Sequence, residues 1–139
     1  MIKAVIDTNV FISALFWKGK PNEVLRLAFS KKFTAVTSRE ILSELEGKLT
    51  RKFHYPKNET KKYMALILSE FVVVEPGLNI AAVVEDPSDN KVIEAAADSN
   101  SGFIVTGDSH LLKLKDFRGV KILNPAEFLK ILALGRWRF

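Results

Sequence analysis

Lys3-Ala4-Val5-Ile6-Asp7-Thr8-Asn9 is a short apolar run that stops on a carboxylate within the first ten residues. An apolar, β-branched run bounded by polar residues reads as a buried strand, and in open α/β sheets ligands gather beyond the carboxyl ends of the strands. Asp7 stands at such an end. Phe103-Ile104-Val105-Thr106-Gly107-Asp108 repeats the arrangement late in the chain, with Gly107 giving the backbone a place to turn. The two aspartates are therefore expected to face each other, and the intervening chain to supply the rest of one site.

Between these strands the chain alternates. Val10 to Phe16 is an apolar segment that either begins a helix or covers the sheet. Pro21 or Asn22 opens a helix with Val24, Leu25, Leu27 and Ala28 inward, closing on the cationic pair Lys31-Lys32, which suits the helix dipole. Phe33 to Val36 reads as a strand. Thr37 or Ser38 then caps a helix from about Arg39 to Lys52, with capping-box spacing between Thr37 and Glu40. Ile41, Leu45 and Leu49 form its buried stripe, with Leu42 beside them, and Glu44 falls at the edge of that stripe, over the rim where the strands end. Alone, Glu44 is one more surface glutamate; only in the company of other carboxylates does it become a ligand.

A second helix is expected from about Asn58 to Glu70, with Tyr63, Leu66, Ile67 and Phe71 inward, and a strand from Phe71 to Val74. The acidic knot Glu85-Asp86-Pro87-Ser88-Asp89 precedes a helix that buries Val92, Ile93, Ala96 and Ala97. Asp86 as N-cap and Pro87 at the first helical position would make a good helix start with no chemical meaning. The alternative is that Asp89 points into the cleft of Asp7 and Asp108. Phe103 to Thr106 and Val120 to Leu123 read as strands, Ser109 to Leu114 as a short helix, and Asn124-Pro125 as the opening of a last helix with Phe128, Leu129, Leu132 and Leu134 inward. Strands alternating with helices argue for a parallel sheet covered on both faces.

At 139 residues, 47% of them hydrophobic, the chain is expected to be one domain, 1–139, with a short basic and aromatic tail at 136–139. The absence of cysteine excludes disulfides and thiolate metal sites. His54 and His110 lie far apart with no partner at metal-ligand spacing, so any metal site must be built of oxygen. No run approaches the ~18 apolar residues of a membrane span, and a strand at the start leaves no room for a signal peptide; the expected location is cytoplasmic, away from any membrane. A net charge of +5 and a pI near 9.5 favour polyanionic partners. That charge concentrates between Lys48 and Lys62, where Lys48, Arg51, Lys52 and Lys57 interleave with Phe53, His54 and Tyr55: either a solvated face, or an RNA-binding stretch that holds phosphates and stacks bases.

Asp7, Glu44, Asp89 and Asp108 thus share one expected location. Packed carboxylates repel and raise one another's pKa, so such a cluster calls for a cation, and an all-oxygen donor set selects hard ions such as Mg²⁺ or Mn²⁺. The chemistry that follows is metal-assisted attack of water on a phosphodiester, which needs no protein nucleophile. Asn9, Thr106 and Ser109 read as supports that hold the carboxylates in place, or else as turn and cap residues.

With these residues in place, the chain resembles the PIN-domain nucleases, and within them the VapC-like branch of toxins from toxin–antitoxin systems. The resemblance rests on Val5-Ile6-Asp7-Thr8-Asn9-Val10, Thr37-Ser38 before the helix of Glu44, Asp86-Pro87-Ser88-Asp89-Asn90, Val105-Thr106-Gly107-Asp108 with Leu111-Leu112, and the ending Asn124-Pro125-Ala126-Glu127-Phe128. It implies a three-layer α/β/α sandwich around a parallel sheet and a Mg²⁺- or Mn²⁺-dependent ribonuclease. It also implies a homodimer held inactive by a small antitoxin. Carried over residue by residue, the catalytic metal ligands are Asp7, Glu44, Asp89 and Asp108, while Asp86 either assists a metal or caps its helix.

The rival readings are a structure-specific DNA nuclease, for which the chain lacks large DNA-holding insertions, and a non-catalytic RNA-binding module stabilised by one ion. A phospho-accepting receiver domain also gathers aspartates at strand ends. It expects paired acids after the first strand and a lysine after a late one, whereas here Thr8-Asn9 follows Asp7 and Thr106-Gly107-Asp108 carries no lysine.

Overall fold

The computed structural model describes residues 1–75 and 90–135. Strand β1 (Lys3–Ile6) leads into α1 (Thr8–Phe16) and α2 (Lys20–Phe29), then β2 (Thr34–Ser38) and α3 (Arg39–Gly47). A five-residue π-helix (Lys48–Lys52) follows, then α4 (Lys57–Glu70) and β3 (Val72–Val74). Beyond the undescribed segment come α5 (Asn90–Ser99), β4 (Phe103–Val105), α6 (Ser109–Leu114), β5 (Asp116–Phe117), β6 (Val120–Leu123) and α7 (Pro125–Gly135). Asp86 and Asp89 lie outside the described residues, as does the tail 136–139.

The six strands form one sheet in the order β3-β2-β1-β4-β6-β5. Every pairing is parallel except β5 with β6, an antiparallel hairpin that the sequence reading did not anticipate. Its turn is made by Arg118 and Gly119, both at positive φ. Strand β1 lies between β2 and β4. The chain first builds outward on one side of it, through β2 and β3, and then returns to the other side with β4, so the strand order reverses between β1 and β4. A crevice opens at such a reversal, beyond the carboxyl ends of the two strands.

Successive strand residues point to opposite faces, yet Ala4, Val5 and Ile6 are all fully buried, so both faces of β1 are covered. Apolar burial of this kind is the main force holding the layers together. Ile41, Leu45 and Leu49 of the α3 stripe are fully buried, and Phe128 of α7 packs edge-on against Phe33, with ring centroids 4.9 Å apart.

Local chemistry corrects several boundaries. Of the two candidate caps it is Ser38 that serves α3, its Oγ accepting from Ile41 N–H at 3.2 Å, while Thr37 stays within β2. Helix α2 ends at Phe29, short of the Lys31-Lys32 pair, because Lys31 takes left-handed backbone (φ 61°). The helix expected to run on to Lys52 is α-helical only to Gly47; beyond it Phe53 N–H bonds Lys48 C=O, the wider i to i−5 spacing. Leu66 and Leu134, expected inside, are 46% and 60% exposed, and in α5 Ala95 takes the buried position expected of Ala97.

Candidate active site

The register of β1 on β4 builds the site. Ile6 pairs with Val105, so the next residues, Asp7 and Thr106, leave the sheet side by side; Asp7 N–H bonds Val105 C=O at 3.0 Å. Asp7 is 3% exposed and caps α1. Its Oδ1 accepts from Thr8 N–H at 2.8 Å, while Oδ2 accepts from the Thr106 hydroxyl at 2.7 Å and the Asn9 amide at 3.2 Å. A carboxylate offers about four acceptor sites, so one remains open on Oδ1.

The same two supports tie in the loop of Asp108. Thr106 Oγ1 accepts from Asp108 N–H at 2.9 Å, and Asn9 Oδ1 accepts from Gly107 N–H at 3.0 Å. Thr106 therefore touches both aspartates, through the side chain of one and the backbone of the other. Asp108 caps α6, its Oδ1 accepting from His110 N–H at 2.7 Å. Ser109 opens α6 on the exposed surface, and no hydrogen bond from its hydroxyl joins this network.

Glu44 leans over the rim from α3 with its side chain 26% exposed, and meets a residue that the sequence reading passed over. Lys91, on α5, is 9% exposed, and its Nζ lies 3.1 Å from Glu44 Oε2. A signal for it was present: Lys91 stands four residues before Ala95 and one before Val92, on the buried stripe of α5, where a lysine is costly unless paired.

The electrostatics follow from burial. Burial pushes the Asp7 carboxyl above its ordinary range; the hydrogen bonds from Thr106 and Thr8 and the field of Lys91 offset part of this, and the charge of Glu44 adds to the rise. For Glu44 burial works in the same direction. The neighbouring Thr8 hydroxyl, the Lys91 ammonium and Lys48 outweigh it and hold the carboxyl below its usual value. Thr8 Oγ1 sits close enough to favour the ionised Glu44, yet it makes no hydrogen bond of good geometry and is a buried, unpaired hydroxyl.

Among the described residues no three acidic or imidazole side chains close around one point. Asp7 and Glu44 instead share the field of one ammonium, and Asp108 is reached through Thr106. The donor set is all oxygen. The open acceptor site of Asp7 and the Thr8 hydroxyl beside Glu44 suit a hard, positively charged ligand, one that would compete with Lys91 for Glu44. Of the basic residues singled out from the sequence, Lys48 acts on Glu44 from one turn further along. Arg51 and Lys57 line a polar cavity of about 280 Å³ with Ser43, Glu46, Thr60 and Lys61, so a carboxylate stands among these cations, and Lys52 lies over the ring of Phe53.

Residues 3–110 match the family profile described as PIN domain. An uncharacterised protein of Methanocaldococcus jannaschii, MJ1680, is 37% identical in an alignment covering 93% of this chain and 90% of the relative. Three solved structures share the fold. A chain of VapBC2 from Rickettsia felis, bound to a DNA fragment from its promoter, aligns with a TM-score of 0.61 at 17% identity, over 88% of this chain and 98% of that one. PAE2754 from Pyrobaculum aerophilum gives 0.60 at 16% identity, over 96% and 98%, and FitAcB from Neisseria gonorrhoeae 0.53 at 18%, over 88% and 98%.

Proposed function

The chain belongs to the PIN domain family, a family of nucleases, and we propose that this member is a divalent-metal-dependent endoribonuclease, the toxin of a toxin–antitoxin pair. The observation that carries the reading is the buried carboxylate of Asp7. It stands where the strand order reverses, is laced to the loop of Asp108 by Thr106 and Asn9, and shares a buried cation with Glu44. The sequence resemblance to VapC-like proteins and the shared fold of the VapBC2 and FitAcB chains support the toxin reading and a small antitoxin partner, while a homodimer rests on the sequence resemblance alone.

In this reading Asp7, Glu44 and Asp108 hold Mg²⁺ or Mn²⁺ together with Asp89, with Asp86 as a further candidate. The chemistry a divalent ion supplies there is acidification of a water molecule and neutralisation of charge at a phosphodiester. The chain does the rest. Thr106 and Asn9 hold Asp7 Oδ2, so that Asp7 would offer an ion the remaining acceptor of Oδ1, and they tie the β4–α6 loop that carries Asp108 to Asp7. Lys91 neutralises Glu44 and lowers the cost of gathering carboxylates before an ion arrives. Lys48, Arg51, Lys52 and Lys57 hold RNA phosphates, a sequence-independent contact that weakens as salt rises.

The test is cleavage of labelled single-stranded RNA by purified protein with Mn²⁺, Mg²⁺ or EDTA, beside Asp7→Asn and a single-stranded DNA of the same sequence. Metal-dependent cutting of RNA that the substitution abolishes supports the reading. Equal cutting by the variant marks a contaminant, preferential cutting of DNA moves the assignment to a DNA nuclease, and metal-dependent RNA binding without cutting leaves a binding module.

A further inference from the structure

A second feature of the surface lies at the far end of α1. Asp7 caps the start of that helix and Phe16 is its last residue, nine residues or about 13 Å along the axis. There the loop after the π-helix returns onto α1 and builds a group of four rings. Phe16 and Phe53 have centroids 5.4 Å apart at 33°, Phe16 and Tyr55 meet edge-on at 5.5 Å, and Phe16 and Trp17 at 5.8 Å. His54, between Phe53 and Tyr55, takes left-handed backbone with φ 52°.

The group is not core. Trp17 is 62% exposed, Phe53 39% and Phe16 36%. Nor is its setting that of an ordinary apolar patch. The two stretches that meet here, 16–22 and 48–58, contain six basic residues and no carboxylate. Lys20 faces Glu23, Lys48 acts on Glu44, and Arg51 and Lys57 share a cavity with Glu46, which leaves Lys18 and Lys52 as the cations of the margin. Lys52 Nζ stands 5.7 Å from the centre of the Phe53 ring.

This charge pattern selects the occupant. A second copy docking ring to ring would bring two such cationic margins together, with no carboxylate in either stretch to relieve the repulsion. A duplex offers phosphates but keeps its base faces covered. Unpaired nucleotides offer both what the rings need, a flat π face, and what the margin needs, a phosphate. We propose that Phe16, Trp17 and Phe53 form a stacking shelf for unpaired bases of single-stranded RNA, with Lys52, which already lies over the Phe53 ring, and Lys18 holding the flanking phosphates. This rests on RNA being the substrate and adds to it a hold on the strand remote from the acids.

Binding is read in EDTA, so that neither the metal nor cleavage enters the measurement. In full-length Trp137→Phe protein the remaining tryptophan is Trp17. An unstructured oligoadenylate should quench its fluorescence, and a duplex of equal length should leave it nearly unchanged. Trp17→Ala and Phe53→Ala should weaken oligoadenylate binding roughly five- to a hundredfold, read by anisotropy of a labelled strand. Trp17→Ala, at a position 62% exposed, should leave thermal melting unchanged, whereas Phe53→Ala also loses its packing on Phe16 and should lower it slightly. Affinity for the single strand equal to the parent's in both variants overturns the shelf, as does equal quenching by the duplex. Concentration-dependent self-association that Trp17→Ala abolishes, seen by sedimentation, assigns the rings to a contact between copies and also overturns it. Quenching with no metal-dependent cutting would leave the shelf standing and defeat the nuclease reading alone.

Discussion

Replacing Lys91 by methionine separates the two roles that a cation can play in the acidic cleft. The Nζ–Oε2 distance of 3.1 Å corresponds to a gross attraction of about 5 kcal/mol at an effective dielectric constant near 20. Stranding one partner of a buried pair typically costs about 3–5 kcal/mol. Here the Glu44 side chain is 26% exposed, so water takes over part of the lost contact, and methionine keeps most of the apolar stem; a loss of about 2 kcal/mol follows. For a chain of this length that is roughly 6–8 °C in melting temperature, measured by calorimetry in EDTA. Saturating Mn²⁺ should reverse most of it, since an ion bound by Glu44 and Asp7 restores the missing charge, and titration calorimetry should show the variant binding Mn²⁺ more tightly than the parent. A melting deficit of the same size with and without Mn²⁺, or unchanged Mn²⁺ affinity, would refute the idea that ammonium and metal serve the same carboxylates.

Asp7→Asn relieves the cost of burying a charge but turns its NH2 onto Thr8 N–H or onto Thr106 and Asn9, so the two effects oppose each other in the melting temperature in EDTA. Cleavage should fall at least about a hundredfold through loss of a charged ligand. The pH dependence has a definite sign. Asp7 is raised above its ordinary 3.8 in the metal-free fold, so its contribution to stability is fully present below 3.8 and is lost as pH rises through the shifted value; Glu44, lowered from 4.5, contributes stability above 4.5 that is lost as pH falls through its own shifted value. Metal must displace the Asp7 proton, so Mn²⁺ affinity, followed by titration calorimetry, should start to fall at a pH above 3.8 as the solution is acidified. Thr106→Val removes a donor from Asp7 and an acceptor from Asp108 N–H, and should cost about 1–3 kcal/mol by chemical denaturation, with Thr106→Ser restoring most of it.

What the sequence disclosed and what it hid divide along physical lines. The β1 and β4 runs are buried on both faces, so they read as continuous apolar segments, and the residues that end them needed no further information to be noticed. The α3 stripe was legible because Ile41, Leu45 and Leu49 recur at helical spacing, and that spacing alone put Glu44 at the rim. The β5–β6 hairpin was not, since two residues carry no periodicity and its turn rests on Arg118 and Gly119 in left-handed backbone. Lys91 was hidden for another reason. The apolar run that follows it drew attention to Val92 and Ile93, and a lysine at a helix start reads as surface until the acids it faces are placed in space. Asp86 and Asp89, two of the five acids named from sequence, fall outside the described residues.

Clustered carboxylates and a stable fold make opposing demands, and the arrangement around Asp7 reconciles them in two steps. The hydrogen bonds of Thr106, Asn9 and Thr8 fix the carboxylate's direction at no charge, so they favour the ionised form without competing for the acceptor left open on Oδ1. Lys91 supplies the charge, and supplies it to Glu44 directly and to Asp7 only through its field. Of Asp7 and Glu44, the one less exposed to solvent is thus the one without an ion pair among the described residues. A divalent ion bound here would meet no ammonium paired to Asp7 and would have to compete with Lys91 for Glu44. The end of β1 would then bind first and the rim close second, an order in which Asp7→Asn abolishes binding while Glu44→Gln only weakens it. Comparable loss of Mn²⁺ affinity in the two variants, measured by titration calorimetry, would overturn that order.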